Sequence, residues 1–316
     1  MVTGAHSYVT YGIEDSAYGT EAGTLESAFG KGLRITPRMA NNLIVTRGLG
    51  SRNAQALTPG NFEGSLDIEF TLGTSHWLAA VMGTSVSTSS APYIHTYTEA
   101  NDIPSITIEN GIDLSTDSVR KYLGCKINTC TITANVGEPV RISLSVLYKT
   151  ETEGTTLDAT PAVDAESPMI FAHGDLEIPN ATDVAKVQSF TLTINNNLIP
   201  TRGLGSRFKQ AETPGNREYT FSLTKAIENA TQLERFYGGA TTPVAAPAET
   251  ATLEINFTNG LAAANERHIY FLGTGVQFDD HSDPQEAGAR TDEEISGTIR
   301  SGSIIGEDAT ATTIFD

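Results

Sequence analysis

The chain has 316 residues and a formal net charge of −18, from 20 basic and 38 acidic residues. Such an acid excess argues against direct binding of nucleic-acid phosphates, which needs basic patches, and it keeps the chain soluble by self-repulsion. Hydrophobic residues at 39% and charged residues at 18% exclude disorder, no apolar run reaches the roughly 20 residues of a membrane span, and the length suggests about two domains.

The start, Met1-Val2-Thr3-Gly4-Ala5-His6-Ser7, has no basic segment followed by an apolar one, so the expectation is synthesis in the cytoplasm without a secretory signal. Apolar and polar residues then alternate from Ser65 to Leu72, which predicts a strand with one buried face. Ser75–Met82 reads as a short helix capped by Ser75 and ended by Gly83. Cys125 and Cys130 are the only cysteines. Their odd spacing in an extended segment predicts side chains on opposite strand faces, hence two buried free thiols and no disulfide or zinc site. Val140–Lys149 alternates again, as do Ser189–Ile194 and Thr252–Phe257. A second short helix is predicted at Glu228–Tyr237, before Gly238-Gly239. Period-two patterning of this kind belongs to antiparallel sheets. The fold class is therefore mainly β or α+β, with a short flanking helix in each half.

The organisation follows from an internal repeat. Residues 41–63 (NNLIVTRGLGSRNAQALTPGNFE) and 196–218 (NNLIPTRGLGSRFKQAETPGNRE) align without a gap at a spacing of 155, with 18 of 23 positions identical. A spacing of domain size indicates two copies of one domain, at 1–155 and 165–316. A polar, proline-containing linker at 156–164 separates them. The acids are uneven: residues 1–155 carry 10 basic and 15 acidic side chains, and residues 156–316 carry 10 and 23. The repeated segment is rich in Gly, Asn, Arg and Thr and holds the Pro59-Gly60 and Pro214-Gly215 turns, so it is read as a long exposed loop or extended hairpin.

Chemistry-bearing motifs are missing. Gly48-Leu49-Gly50 and Gly203-Leu204-Gly205 lack the third glycine of a dinucleotide turn, and no Gly-x-Ser-x-Gly elbow occurs. The histidines have no metal-ligand spacing. Asp279-Asp280-His281-Ser282-Asp283 either forms a solvated acidic loop or holds a divalent cation through oxygens; it lacks the spacing of an EF-hand. The expectation is a structural protein, not an enzyme, with no cofactor and no metal.

Tyr11-Gly12-Ile13-Glu14-Asp15-Ser16-Ala17-Tyr18-Gly19-Thr20 opens the chain. A short strand, an Asn/Arg-rich segment with Gly-Ser-Arg, a longer strand and a short helix ending in Gly follow it. This order resembles the tail tube proteins of long-tailed viruses of bacteria and archaea, over about the first 80 residues and more loosely over about 110 of the second half. The resemblance implies two tandem antiparallel β-sandwich-like tube domains, where most members of the family carry one. It also implies trimeric rings with pseudo-sixfold symmetry, stacked into a tube that passes double-stranded DNA without specific binding. The partners are then further copies of the chain and other tail proteins, with no membrane, and the location is the virion tail. In that frame Arg47, Arg52, Arg202 and Arg207 are expected to make inter-subunit or inter-ring contacts with carboxylates, or else to stabilise their own loops. Asp67, Glu69, Ser143 and Ser145 are expected to line the lumen, unless their faces lie outside the tube. The alternative function is a two-domain β-sandwich decoration or surface-binding protein.

Overall fold

The computed structural model describes residues 7–308 apart from 15–16, 51, 89–92, 180–181, 240, 246–249, 262–265 and 289. Met1–His6, Asp15 and Ser16 of the opening lie outside the described residues. The first half runs β1 (Ser7–Ile13), β2 (Ser27–Ala28), β3 (Lys31–Ala40), β4 (Ile44–Thr46), β5 (Ala56–Thr58) and β6 (Glu63–Thr71). It continues through α1 (Leu78–Met82), β7 (Gly83–Ser87), β8 (Tyr93–Glu99), β9 (Ile106–Ile112), β10 (Ser118–Asn135), β11 (Arg141–Tyr148) and β12 (Thr150–Gly154). After a 3-10 turn at Phe171–His173, the second half runs β13 (Gly174–Glu177), β14 (Val187–Asn195), β15 (Ile199–Thr201), β16 (Ala211–Thr213) and β17 (Glu218–Ala226). It ends with α2 (Thr231–Phe236), β18 (Thr250–Thr258), β19 (His268–Ser282) and β20 (Asp292–Asp308). The protein is mainly antiparallel β with short helices, as the alternation predicts.

Strand order reads β3-β6-β11-β10-β14-β17-β20-β19, with β18 and β13 beyond β19. The two halves match in register. Ala40 faces Glu63 and Asn195 faces Glu218, at a spacing of 155. Cys130 faces Leu144 and His281 faces Ile295, at a spacing of 151, and a bulge precedes each pair at Ile127/Thr129 and Phe278/Asp280. The halves also share ladders across the expected boundary. β10 pairs with β14, and β8 with β20, so one sheet and one apolar cluster run through both.

The opening motif has a packing explanation. Tyr11 is buried with its ring centroid 4.4 Å from that of Phe29. A side chain at Gly12 would collide with the Thr24 carbonyl. Glu14 is buried, and its carboxylate accepts the amides of Gly19 and Gly124 at 2.7 and 2.6 Å and the Thr107 hydroxyl at 3.1 Å. The carboxylate thereby satisfies backbone donors that a tight loop leaves unpaired.

Three expectations change in detail. α1 begins at Leu78 and has no side-chain cap; the Ser75 hydroxyl instead lies 3.0 Å from the Tyr97 hydroxyl. Its end at Gly83, φ 108°, is as read from the sequence. The second helix is shorter than expected, Thr231–Phe236, with no side-chain cap at Ala230; the Asn229 side chain accepts the Thr231 amide at 3.0 Å in the turn before it. Cys125 and Cys130 are free and buried, but they do not lie on opposite faces. The extra residue Asn128 at the β10 bulge restores the phase of the alternation, so both thiols reach the same core.

Candidate functional site

One face of the central sheet is apolar and buried; the other carries rows of small hydroxyls with charged residues among them, Arg141 in the row of Ser143 and Glu218 in the row of Thr220. On β10, Thr131 stands opposite Ser143 of β11 and Thr193 of β14. Thr193 faces Thr220 and Thr191 faces Ser222. Ser222 faces Ser296 and Thr220 faces Thr298. The alternation places Cys130, Ile132, Leu192, Ile194, Phe221 and Leu223 on the opposite, buried face. The sheet joins the four sequence-selected residues here: Ser145 lies opposite Asp67 and Ser143 opposite Glu69. Both acids have cationic neighbours, with Arg38 Nε 3.4 Å from Asp67 and Arg34 Nη1 3.4 Å from Glu69. The face is thus hydroxyl-rich and locally charge-paired. The threonines of β10 and β14 extend this face, and their sequence signal is as plain as that of the β11 serines, since Thr129, Thr131 and Thr133 alternate in the same way.

The two repeated segments form matching hairpins, β4–β5 and β15–β16, in unlike surroundings. In each, the first arginine bonds the carbonyl of the second: Arg47 to Arg52 at 3.4 Å and Arg202 to Arg207 at 3.1 Å. The second hairpin also lies on the first half. Arg202 donates to the Phe62 carbonyl and to Glu63, both at 3.2 Å. Arg207 donates to the Asn41 side chain, and the rings of Phe208 and Phe62 are 5.6 Å apart. Lys209 and Glu212 form a buried ion pair beneath it at 2.5 Å, and burial pushes the Glu212 carboxyl up despite the lysine. The first hairpin is exposed, with Leu43, Ile44, Val45 and Leu57 open to solvent.

The acids near the end of β19 do not gather around one point. Asp279 accepts the Thr298 hydroxyl, Asp280 accepts the His281 amide at 2.9 Å, and the His281 ring lies 3.0 Å from the buried Glu293. Lys225 holds that same carboxylate at 3.0 Å. Among the described residues, the carboxylates that do converge are Asp175, Glu177 and Asp183, within 4.8 Å of one another. Burial and the charge of Asp183 raise the Asp175 pKa. No helix among the described residues is long and apolar enough to cross a membrane.

The described residues thus define a mainly antiparallel β protein with a hydroxyl-rich sheet face and paired hairpins beside it. The family model described as phage tail tube protein matches residues 4–300, and the chain belongs to that family. It is therefore a structural component of a virion tail, of a kind that assembles with itself and with other tail proteins. No curated protein matches the chain.

Proposed function

We propose that the chain builds the tail tube as stacked rings, three chains to a ring, with its two matching halves giving six equivalent units. Viral DNA passes through the lumen without specific binding. The observation that carries this reading is the continuous hydroxyl face running from β6 to β20. Curled into a ring, that face makes a wall of hydroxyl side chains interspersed with charges of both signs, and Asp67, Glu69, Ser143 and Ser145 stand on it. Arg34 and Arg38 offset the two acids, so the wall holds no cationic excess there to retain phosphates. Charge on such a wall is screened within about 8 Å at physiological salt and acts only on DNA close to it. The sheet also has unmatched edges at its two ends, and closing a ring removes edges that would otherwise invite aggregation. Negative-stain microscopy of the purified protein tests the proposal. The expected images are rings and hollow tubes with pseudo-sixfold end views. Particles that stay monomeric at every concentration and salt would overturn it.

A further inference from the structure

Of the two ladders that join the matching halves, β10–β14 is the internal joint that carries the second hairpin with it. Thr129–Asn135 of β10 pairs with Ser189–Asn195 of β14, and the hydroxyls of Thr131 and Thr193 lie 3.4 Å apart. The foot of the second hairpin locks onto the β10 bulge. The Asn196 amide donates to the Asn128 carbonyl at 2.8 Å, and the Asn128 side chain accepts the Leu198 amide at 2.8 Å. The Asn196 side chain donates to the carbonyls of Ile127 and Val81 at 3.0 and 3.1 Å.

The counterparts of both sides of this joint stand unmatched at the outer edges. Among the described residues β3, the counterpart of β14, pairs only with β6. Among the described residues β19 pairs with β18 up to Val276, and beyond that only with β20. At the spacing of 151 the bulge residue Asp279 occupies the place of Asn128. Met39 is 50% exposed where its counterpart Ile194 is fully buried.

The geometry points to a second copy of this chain as the partner of both edges, in the register of the internal joint. Asp280 then faces Ala40 of the neighbouring chain, His281 faces Met39, Ser282 faces Arg38 and Asp283 faces Pro37. Pro284 cannot donate to a ladder and ends the pairing there. The Asp279 carboxylate accepts the Leu43 amide, as Asn128 accepts that of Leu198. Arg47 of the docked hairpin reaches Glu218, the counterpart of Glu63; Asn196, the counterpart of Asn41, is buried with its side-chain oxygen held by Arg217 at 2.8 Å and offers Arg52 no matching acceptor. Leu43 and Leu57 are covered in the process, since their counterparts Leu198 and Glu212 are half-buried and buried in the internal joint.

Substitutions between the two joints support the match. The internal joint is neutral, threonine against threonine. The outer edges carry Arg34 and Arg38 on β3 against Asp279, Asp280, Asp283 and Glu286 at the end of β19, all exposed. Opposite charges fix partner and register, and like charges oppose β3–β3 or β19–β19 pairing. The buried ion pair Lys209–Glu212 is replaced by Ala54 and Leu57, and Lys126, whose charge acts on Glu212, is replaced by Gln277. Charge is thus deleted at all three positions together. A head-to-tail contact of this kind is the type that closes into a ring.

This inference rests on the ring reading, and cross-linking separates the two. Arg38→Cys and Ser282→Cys, prepared singly, are mixed and oxidised under assembly conditions. Directly opposed strand residues lie about 4.5–5.5 Å apart at Cα, within disulfide range. The mixture is expected to give a covalent dimer that neither variant gives alone and that Arg34→Cys with Ser282→Cys, four residues out of register, does not give. Rings without the matched dimer, or with the shifted one, overturn the inference and leave the tube reading standing. A wild-type protein that forms no rings overturns both. Should a cysteine variant fail to fold, Arg38→Glu serves: it is expected to lose assembly and to regain it with Asp280→Arg. Wild-type assembly by Arg38→Glu alone overturns the inference.

Discussion

Replacing Glu14 by alanine removes the acceptor for the Gly19 and Gly124 amides and the Thr107 hydroxyl. The hydroxyl keeps one partner, since it also accepts the Ala22 amide at 3.0 Å. The two amides are left beneath a buried position with no substitute. Stranding a buried donor costs about 1–3 kcal/mol, and hydrogen bonds to a charged acceptor lie at the upper end. The total for Glu14→Ala is therefore about 3–5 kcal/mol. For a chain of this size that is roughly 2 °C per kcal/mol, a fall in Tm of about 6–10 °C. Glu14→Gln keeps the shape and one acceptor oxygen and should lose about half as much. Calorimetry on dilute, unassembled protein measures both, because assembly would raise the apparent Tm by mass action. A Glu14→Ala protein melting within a degree or two of wild type would refute the idea that this carboxylate holds the opening loop to β10.

Two further tests probe buried and crowded charge. Lys209→Ala alone strands Glu212 and should cost about 3–5 kcal/mol. Lys209→Ala with Glu212→Leu, the residues present at 54 and 57, should return to within about 1 kcal/mol of wild type in urea denaturation; a double variant as unstable as the single contradicts this. Asp175 has a raised pKa from burial and from Asp183, so the folded state holds its proton more tightly than the unfolded chain does. Stability from this group is present below the ordinary carboxylate pKa and declines as pH rises through the raised folded value. Asp175→Asn should therefore be more stable than wild type at neutral pH and equal to it below about pH 3, where both forms are uncharged. A stability difference that stays constant across that range would show that the crowding has no effect.

The alternation at Leu66–Leu72 and Arg141–Tyr148 determined which side chains face the core, because a strand has period two whatever it packs against. The 18 identities between residues 41–63 and 196–218 determined that two hairpins share one geometry, and both hairpins have the same arginine-to-carbonyl bond. Glu14 was legible as part of a motif but not as a buried acceptor, since its donors come from residues as distant as Gly124. Tertiary structure alone decided that one hairpin lies on the other half of the chain while its near-identical twin stays exposed. Burial depends on what is brought alongside, and local sequence does not encode that. It also decided the faces of Cys125 and Cys130 and the place of Asp279. A single extra residue in one strand of a ladder inverts everything downstream, and whether a strand bulges is settled by its partners across the sheet.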